Sequence, residues 1–445
     1  MAAGFPMTSR RRVLLVSYHF PPVGGAGVQR PAKFARYLPE FGWDVSVLQA
    51  ANPSVPLLDQ SLLDELPPDT VIQLARTFEP SYAAKQAVTT PAGDRAAPGA
   101  TARLRRALRS AAAVALQPDA QVLWLPDAVR RGRQLLARMP HDAILATAPT
   151  YTNLLVGALL SRATGLPLIS DFRDEWDISS TYWENAPRSA LAQAVQRRMQ
   201  RFVYRRSSAI VATTKASTAR IAARAAEAGV APKAVCIYNG WDAEDLQSAR
   251  GVAPVRPRDA DALRLVYAGT LWNLTSVAPV ADALERLAAE AAGSVDRLEL
   301  VAVGQLLQLQ RIARTGATLA NVDYCSHPEA LATMQSADAL LLLLSGVPGA
   351  ERVAPAKVFE YLAMRRPILA VMPEGEIAAL VRETGAGQHF LPDDIAGIAE
   401  WFRQHLARRA PAPAADERQI ARFERRALTG QLAALLDQLT SGVPR

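Results

Sequence analysis

Val353-Ala-Pro-Ala-Lys-Val-Phe-Glu-Tyr-Leu-Ala-Met364 is the stretch from which the fold of this 445-residue chain is read. Upstream lies an apolar run, Ala339–Leu344, that is long enough for a buried strand. A loop from Ser345 to Val353 follows, and Pro355 then suits the first position of a helix, where its missing N–H would be orphaned anyway. Downstream, Pro367-Ile-Leu-Ala-Val371 reads as the next strand. Strand, turn, helix and strand make a βαβ unit whose helix mouth exposes free N–H groups to an anion. Lys357 falls in the first turn, with Glu360 about one helical turn beyond it. A cation and a carboxylate so placed suit a phosphate and sugar hydroxyls; a solvated helix start satisfies the same pattern.

Outward from this unit the alternation of strand and helix continues in both directions. Val13–Ser17 is an apolar strand running into Tyr18-His-Phe-Pro-Pro-Val-Gly-Gly-Ala-Gly27. A helix over Val28–Phe41 and a strand over Asp44–Leu48 complete a Rossmann-like opening. Helices are expected at Asp127–Met139, Thr152–Thr164 and Ser189–Arg206. Strands are expected at Ala143–Thr147, Leu166–Ser170, Ala209–Thr213 and Ala234–Tyr238. Ser248–Asp259, rich in Pro, Gly and Arg, reads as a linker. A second pattern then begins, with strands at Leu265–Tyr267, Leu298–Val303 and Val322–Cys325, and a terminal helix over Ile420–Leu439. The expected domains are 1–247, 260–400 and a helical segment, 401–445, that crosses back to the first.

Half of the residues are hydrophobic and 21% are charged, the composition of a globular protein. Two cysteines and five scattered histidines make neither a disulfide framework nor a zinc spacing. A reducing, cytoplasmic location is expected. No apolar run approaches the eighteen or so residues of a membrane span, and Arg10–Ser17 reads as a first strand rather than a signal peptide. Up to Asp245 there are 29 Lys and Arg against 20 Asp and Glu; beyond it, 21 against 22. The basic excess lies in the first half without interleaved aromatics, which argues against nucleic acid and for an anionic acceptor or membrane surface. In Ser189–Arg206, Leu191, Val195, Met199 and Phe202 mark one face, and Arg197, Arg201 and Arg205 mark another. Arg103-Leu-Arg-Arg-Ala-Leu-Arg-Ser-Ala-Ala112, inside an Ala/Arg/Pro-rich insertion over Ala83–Leu116, reads as a basic amphipathic helix.

Gly25-Ala-Gly27 begins a G-x-G-x-x-G pattern, but Arg30 stands at its third glycine and no acidic residue ends the second strand, which disfavours a nicotinamide enzyme. Asp171-Phe-Arg-Asp174 falls at the carboxyl end of a strand, where ligands of open α/β sheets bind. It also suits a local ion-pair network. Asn239-Gly-Trp-Asp242 suits a ligand loop or a plain turn.

In this order, Phe20–Gly27, Asp171–Asp174, Asn239–Asp242, Tyr267-Ala-Gly-Thr270 and Pro355–Tyr361 resemble the motifs of a retaining glycosyltransferase of the GT-B fold, similar to family 4 (glycosyl transferases group 1), over nearly the whole chain. The resemblance implies an α/β protein of two Rossmann-like domains facing a cleft. The C-terminal domain would hold a nucleotide sugar (UDP-, GDP- or dTDP-linked). The N-terminal one would hold a glycan or lipid-linked acceptor, peripheral at the inner face of the membrane. Transfer would retain the anomeric configuration and need no metal or other cofactor. Gly269, Thr270, Arg352 and Lys357 would meet the diphosphate and Glu360 the ribose, with Tyr324 beside the base. Gly24, Gly25 and Gly27 would close on the acceptor side with Asn239, and Asp171, Arg173, Asp174 and Arg352 would carry the chemistry. Departures are visible: Arg352 stands where the family's first glutamate falls, with Glu351 one place off. Thr270 and Thr275 stand for a basic pair, and Arg173 stands for a histidine before Asp174. Epimerisation of a nucleotide sugar on the same fold, or a non-catalytic binding subunit, are the rival readings.

Overall fold

The computed structural model describes residues 10–55, 58–80, 114–182, 189–269, 274–303, 310–322, 325–407 and 415–441. The chain forms two compact units, Met1–Ile237 with Leu428–Arg445, and Tyr238–Ala427.

The first unit is built on seven parallel strands: β1 (Arg11–Val16), β2 (Trp43–Ala50), β3 (Val71–Ala75), β4 (Ala143–Ala148), β5 (Leu168–Phe172), β6 (Ala209–Ala212) and β7 (Lys233–Cys236). They lie in the order β3-β2-β1-β4-β5-β6-β7. The central strands are buried on both faces, as a parallel sheet covered by helices requires. This explains why they read as unbroken apolar runs rather than alternations. Gly25, at φ 98°, caps the helix Ala26–Tyr37, and this left-handed backbone is what the position needs glycine for. The helix begins two residues earlier than its apolar spacing suggests, because Val28 is only its first buried residue. From Leu428 the chain belongs to this unit. Its Asp437 accepts from Arg11 Nη1 at 2.9 Å and from Trp43 Nε1 at 3.0 Å.

In the helix Ala190–Arg206 the buried residues are Ala192, Gln196, Gln200, Val203 and Tyr204. Leu191 is 64% exposed, so the apolar stripe expected to start there is rotated. Two buried glutamines, invisible to an apolar pattern, carry the packing face. The basic helix expected at 103–112 lies outside the described residues, as does nearly all of the insertion around it.

The second unit has six parallel strands: β8 (Leu263–Ala268), β9 (Leu298–Val303), β10 (Thr318–Val322), β11 (Ala339–Leu343), β12 (Ile368–Val371) and β13 (Gly387–Phe390). Their order is β10-β9-β8-β11-β12-β13. β10 sits several residues before the strand expected at Val322–Cys325, because an edge strand with one buried residue carries little apolar signal. The expected terminal helix is interrupted: Glu417–Ala421 and Arg425–Thr440 are separate, and between them Phe423 O accepts from Trp241 N–H at 3.1 Å. The Arg-rich linker is pinned rather than loose. Arg264, fully buried, donates to Glu299, Ser336 and the Arg256 carbonyl, and Arg256 pairs with Glu299 at 2.7 Å.

In each unit the strand order reverses direction once, between β1 and β4 and between β8 and β11. The carboxyl ends of strands beside such a switch point leave a crevice for ligands.

Candidate active site

In the second unit, β8 ends at Ala268, and Gly269 follows with φ 121°. A side chain on Gly269 would be strained by that backbone, and its Cβ would lie 2.7 Å from Lys357 Nζ. Lys357 opens the helix Lys357–Met364 that follows β11, two residues later than Pro355 suggests. The Pro355 and Ala356 carbonyls accept from Val358 and Phe359 N–H, so part of the expected donor mouth is already used.

Three side chains on this helix reach different partners. Lys357 Nζ lies 3.8 Å from the centroid of the Tyr267 ring, a cation–π contact. Glu360 Oε1 lies 3.8 Å from His327 Nε2. The Tyr361 hydroxyl, fully buried, accepts from Ala268 N–H at 2.9 Å and so fixes the end of β8. Among the described residues no carboxylate is within ion-pairing distance of Lys357. Burial pulls its ammonium down to about 7 against the opposing field of Glu360. A desolvated cation beside a glycine turn at a switch point is arranged to receive an anion.

Glu351 and Arg352 lie in a 3-10 turn, Ala350–Arg352, and are tied to each other. Glu351 accepts from Arg352 Nη1 at 2.6 Å and from Gly349 N–H at 2.8 Å. Gly375 packs so closely on this turn that a Cβ there would meet the Glu351 carbonyl at 2.4 Å. Thr270 and Tyr324 lie outside the described residues.

Asn239 belongs to a stretch whose neighbours are structural. Trp241 donates through Nε1 to the Ile420 carbonyl at 3.0 Å, and Asp242 caps the helix Ala243–Ser248. Among the described residues no hydrogen bond engages the Asn239 side chain.

In the first unit the acidic stretch divides its labour. Asp171 lies inside β5, not after it, because the strand runs on to Phe172. Its carboxylate receives Arg30 Nε at 3.0 Å, Arg30 Nη2 at 2.9 Å and Thr147 Oγ1 at 2.8 Å. Both partners of this ion pair are almost wholly buried, at 4% and 1% exposure. Arg173 is not its partner. It donates to the Ala148 and Pro149 carbonyls, each at 2.8 Å, and to Gly27 O. It thus ties the first turn of the helix after β1 to the end of β4 and the residue that follows, across the switch point. Gly24 is half-buried in the loop before that helix. Asp174 differs from both. Burial raises its carboxyl, with Arg173 opposing, and among the described residues no hydrogen bond engages its side chain. It is the acid in this cluster that is open to a ligand.

Arg30, His327 and Asp245 were not singled out as site residues from the sequence. Arg30 and Asp171 are 141 positions apart, and no local pattern links them. Among the described residues no group of three or more His, Cys, Asp or Glu is placed to hold a metal ion, and no helix is long and apolar enough to cross a membrane. Arg197 and Arg201 line a cavity of about 350 Å³ in the first unit with Asp177, Tyr204, Arg224 and Glu227.

Residues 24–240 match the family described as "Glycosyl transferase 4-like domain". The fold is shared with Anabaena HepE, solved in complex with UDP and glucose (TM-score 0.53, 16% identity, 97% of each chain covered). It is shared also with an alpha,alpha-trehalose-phosphate synthase (UDP-forming) from Burkholderia vietnamiensis (TM-score 0.63, 14% identity, 98% of this chain and 99% of that one). A third is a putative UDP-N-acetylglucosamine 2-epimerase from Listeria monocytogenes (TM-score 0.51, 11% identity, 98% and 99%). No curated protein matches the chain by sequence. The whole chain thus has the two-unit α/β fold of these structures, and its residues 24–240 match a glycosyl transferase 4-like domain.

Proposed function

We propose that this chain transfers a sugar from a nucleotide-sugar donor, held in the second unit, to a glycan or lipid-linked acceptor, with retention of anomeric configuration. The observation that carries the reading is Lys357, a desolvated ammonium without an ion-pair partner among the described residues, against Gly269 and three residues before Glu360. A leaving diphosphate gains negative charge, and a preorganised cation stabilises it most where water is excluded. Glu360 then accepts from the ribose hydroxyls. Lys357 takes the charge-neutralising role that a metal serves elsewhere, so turnover should survive chelators. Support comes also from HepE, which shares the fold and was solved with UDP and glucose.

The test is a thermal-shift panel with UDP, GDP, dTDP and their sugars on the wild type and on Lys357→Ala and Glu360→Ala. Stabilisation of the wild type by at least one ligand, lost in both variants, is expected. Equal response in all three proteins overturns the donor assignment. Because an epimerase shares the fold, the products formed without acceptor decide between the two reactions: conversion of the free donor to its epimer favours the epimerase.

In the first unit Asp174 is the acid offered to the acceptor. Exposed Arg197 and Arg201, with exposed Leu191 on the same helix, favour a cytoplasmic protein docked at an anionic membrane surface. Co-sedimentation with anionic but not neutral liposomes at low salt is expected, and no co-sedimentation would remove the membrane from the reading.

A further inference from the structure

His327 presents one ring nitrogen, Nε2, to two carboxylates: Asp245 Oδ2 at 3.5 Å and Glu360 Oε1 at 3.8 Å. The three residues come from three helices of the second unit: Ala243–Ser248, His327–Gln335 and Lys357–Met364. Two of these are fixed at their starts. Asp242 accepts from Glu244 N–H at 2.9 Å. Ser326 and Glu329 form a capping box, with Ser326 N–H donating to Glu329 at 2.9 Å. His327 is therefore the first residue of a helix whose origin cannot slide, and Asp245 shares with Glu360 the Nε2 edge of its ring. All three side chains are largely buried, with Asp245 at 12% exposure and Glu360 at 20%.

Two carboxylates drawn to one point repel, and a cation between them offsets that repulsion and holds both in place. A Glu360 carboxylate held in one orientation can accept from two neighbouring hydroxyls at once. We propose that His327, held by Asp245, is a positioning residue that keeps Glu360 aimed at the ribose hydroxyls of the donor. The inference rests on the donor reading above and extends it from the residue touching ligand to the pair behind that residue.

The charges around the ring agree with this role. Burial lowers the imidazole, but Asp245 and Glu360 outweigh it and the opposing Arg425, leaving the group raised above its ordinary value. Lys357, on the same helix as Glu360, adds a second cation to that carboxylate. The clamp is complete below the imidazole's pKa and is lost as pH rises through it.

Two measurements test it. The five histidines can be followed by NMR titration of the free protein, where Glu360→Gln and Asp245→Asn should each lower the His327 midpoint. A midpoint unmoved by both substitutions overturns the clamp. Calorimetry at pH 6.5 then uses UDP and GDP and their 2′,3′-dideoxy forms. His327→Ala should weaken the ribonucleotide that binds by about tenfold and leave its dideoxy form unchanged, with His327→Gln intermediate. In a Glu360→Gln background the same substitution should add nothing. Equal loss for the dideoxy form, or an undiminished loss without Glu360, overturns the positioning role while the donor reading stands. If the wild type binds no nucleoside diphosphate at all, the donor reading fails and the role assigned to His327 fails with it.

Discussion

At the switch point of the first unit, Arg30 and Arg173 direct their guanidinium groups to protein acceptors: a buried carboxylate for one, three backbone carbonyls for the other. At the switch point of the second unit, Lys357 rests on an aromatic face with no carboxylate in ion-pairing range among the described residues. The same topology therefore serves opposite purposes. Cations satisfied by the protein hold a crevice in shape, whereas a cation left with only a ring and a distant carboxylate is available to a ligand. The difference also shows why charge type at a crevice says little until its partners are known. Arg is the better fork for fixed acceptors, and Lys is the point charge whose protonation responds to burial.

The comparison breaks first, and hardest, at the buried ion pair. Asp171→Asn leaves Arg30 buried without its counter-charge and should destabilise the first unit by about 3–5 kcal/mol in urea unfolding. Nucleotide affinity of the protein that remains folded should not change. At the other switch point the order is reversed. Lys357→Ala should weaken nucleoside diphosphate binding by at least about 100-fold, or ~2.7 kcal/mol, by calorimetry, while the melting temperature hardly falls. A loss of stability as large as that of Asp171→Asn would place Lys357 among the structural cations.

The pH dependence sharpens the contrast. With its ammonium at about 7 in the free protein, Lys357 is charged below that pH and neutral above it. A bound diphosphate favours the charged form, so above pH 7 binding must take up a proton. Affinity should fall by roughly tenfold per pH unit there. In Lys357→Met that segment of the profile should be absent. The stability of the free protein runs the other way. The folded-state value lies below the ordinary one for lysine, so the penalty of burying the charge is full below pH 7 and is relieved as pH rises. The smallest effect is local. Tyr361→Phe removes the acceptor for Ala268 N–H and should destabilise the second unit by about 1 kcal/mol, with a modest loss of diphosphate affinity as Gly269 loosens.

Much of this architecture was legible in the chain. Parallel strands buried on both faces show as apolar runs, and helices between them show as a change of period. Hence Thr152–Thr164 and Leu298–Val303 fall at their expected bounds. Gly269 and Gly25 were legible too, because a left-handed backbone leaves glycine in the sequence. Helix starts were less so. Pro355 marks the approach to a helix that begins only at Lys357, since a proline also suits the turn before it.

What the sequence determined by itself is the alternation of elements, the two-unit α/β class and the placing of Lys357 and Glu360 one turn apart. All of these depend on neighbours within a few residues. Only the tertiary structure decided what each charged group faces. It assigned Asp171 to Arg30 rather than Arg173, turned Arg173 onto three carbonyls, and brought His327 to Asp245 and Glu360. The physical reason is range. Backbone preference is local, but the partner of a buried charge is whatever the fold brings within about 4 Å, and residues tens of positions or more apart leave no joint trace in one sequence.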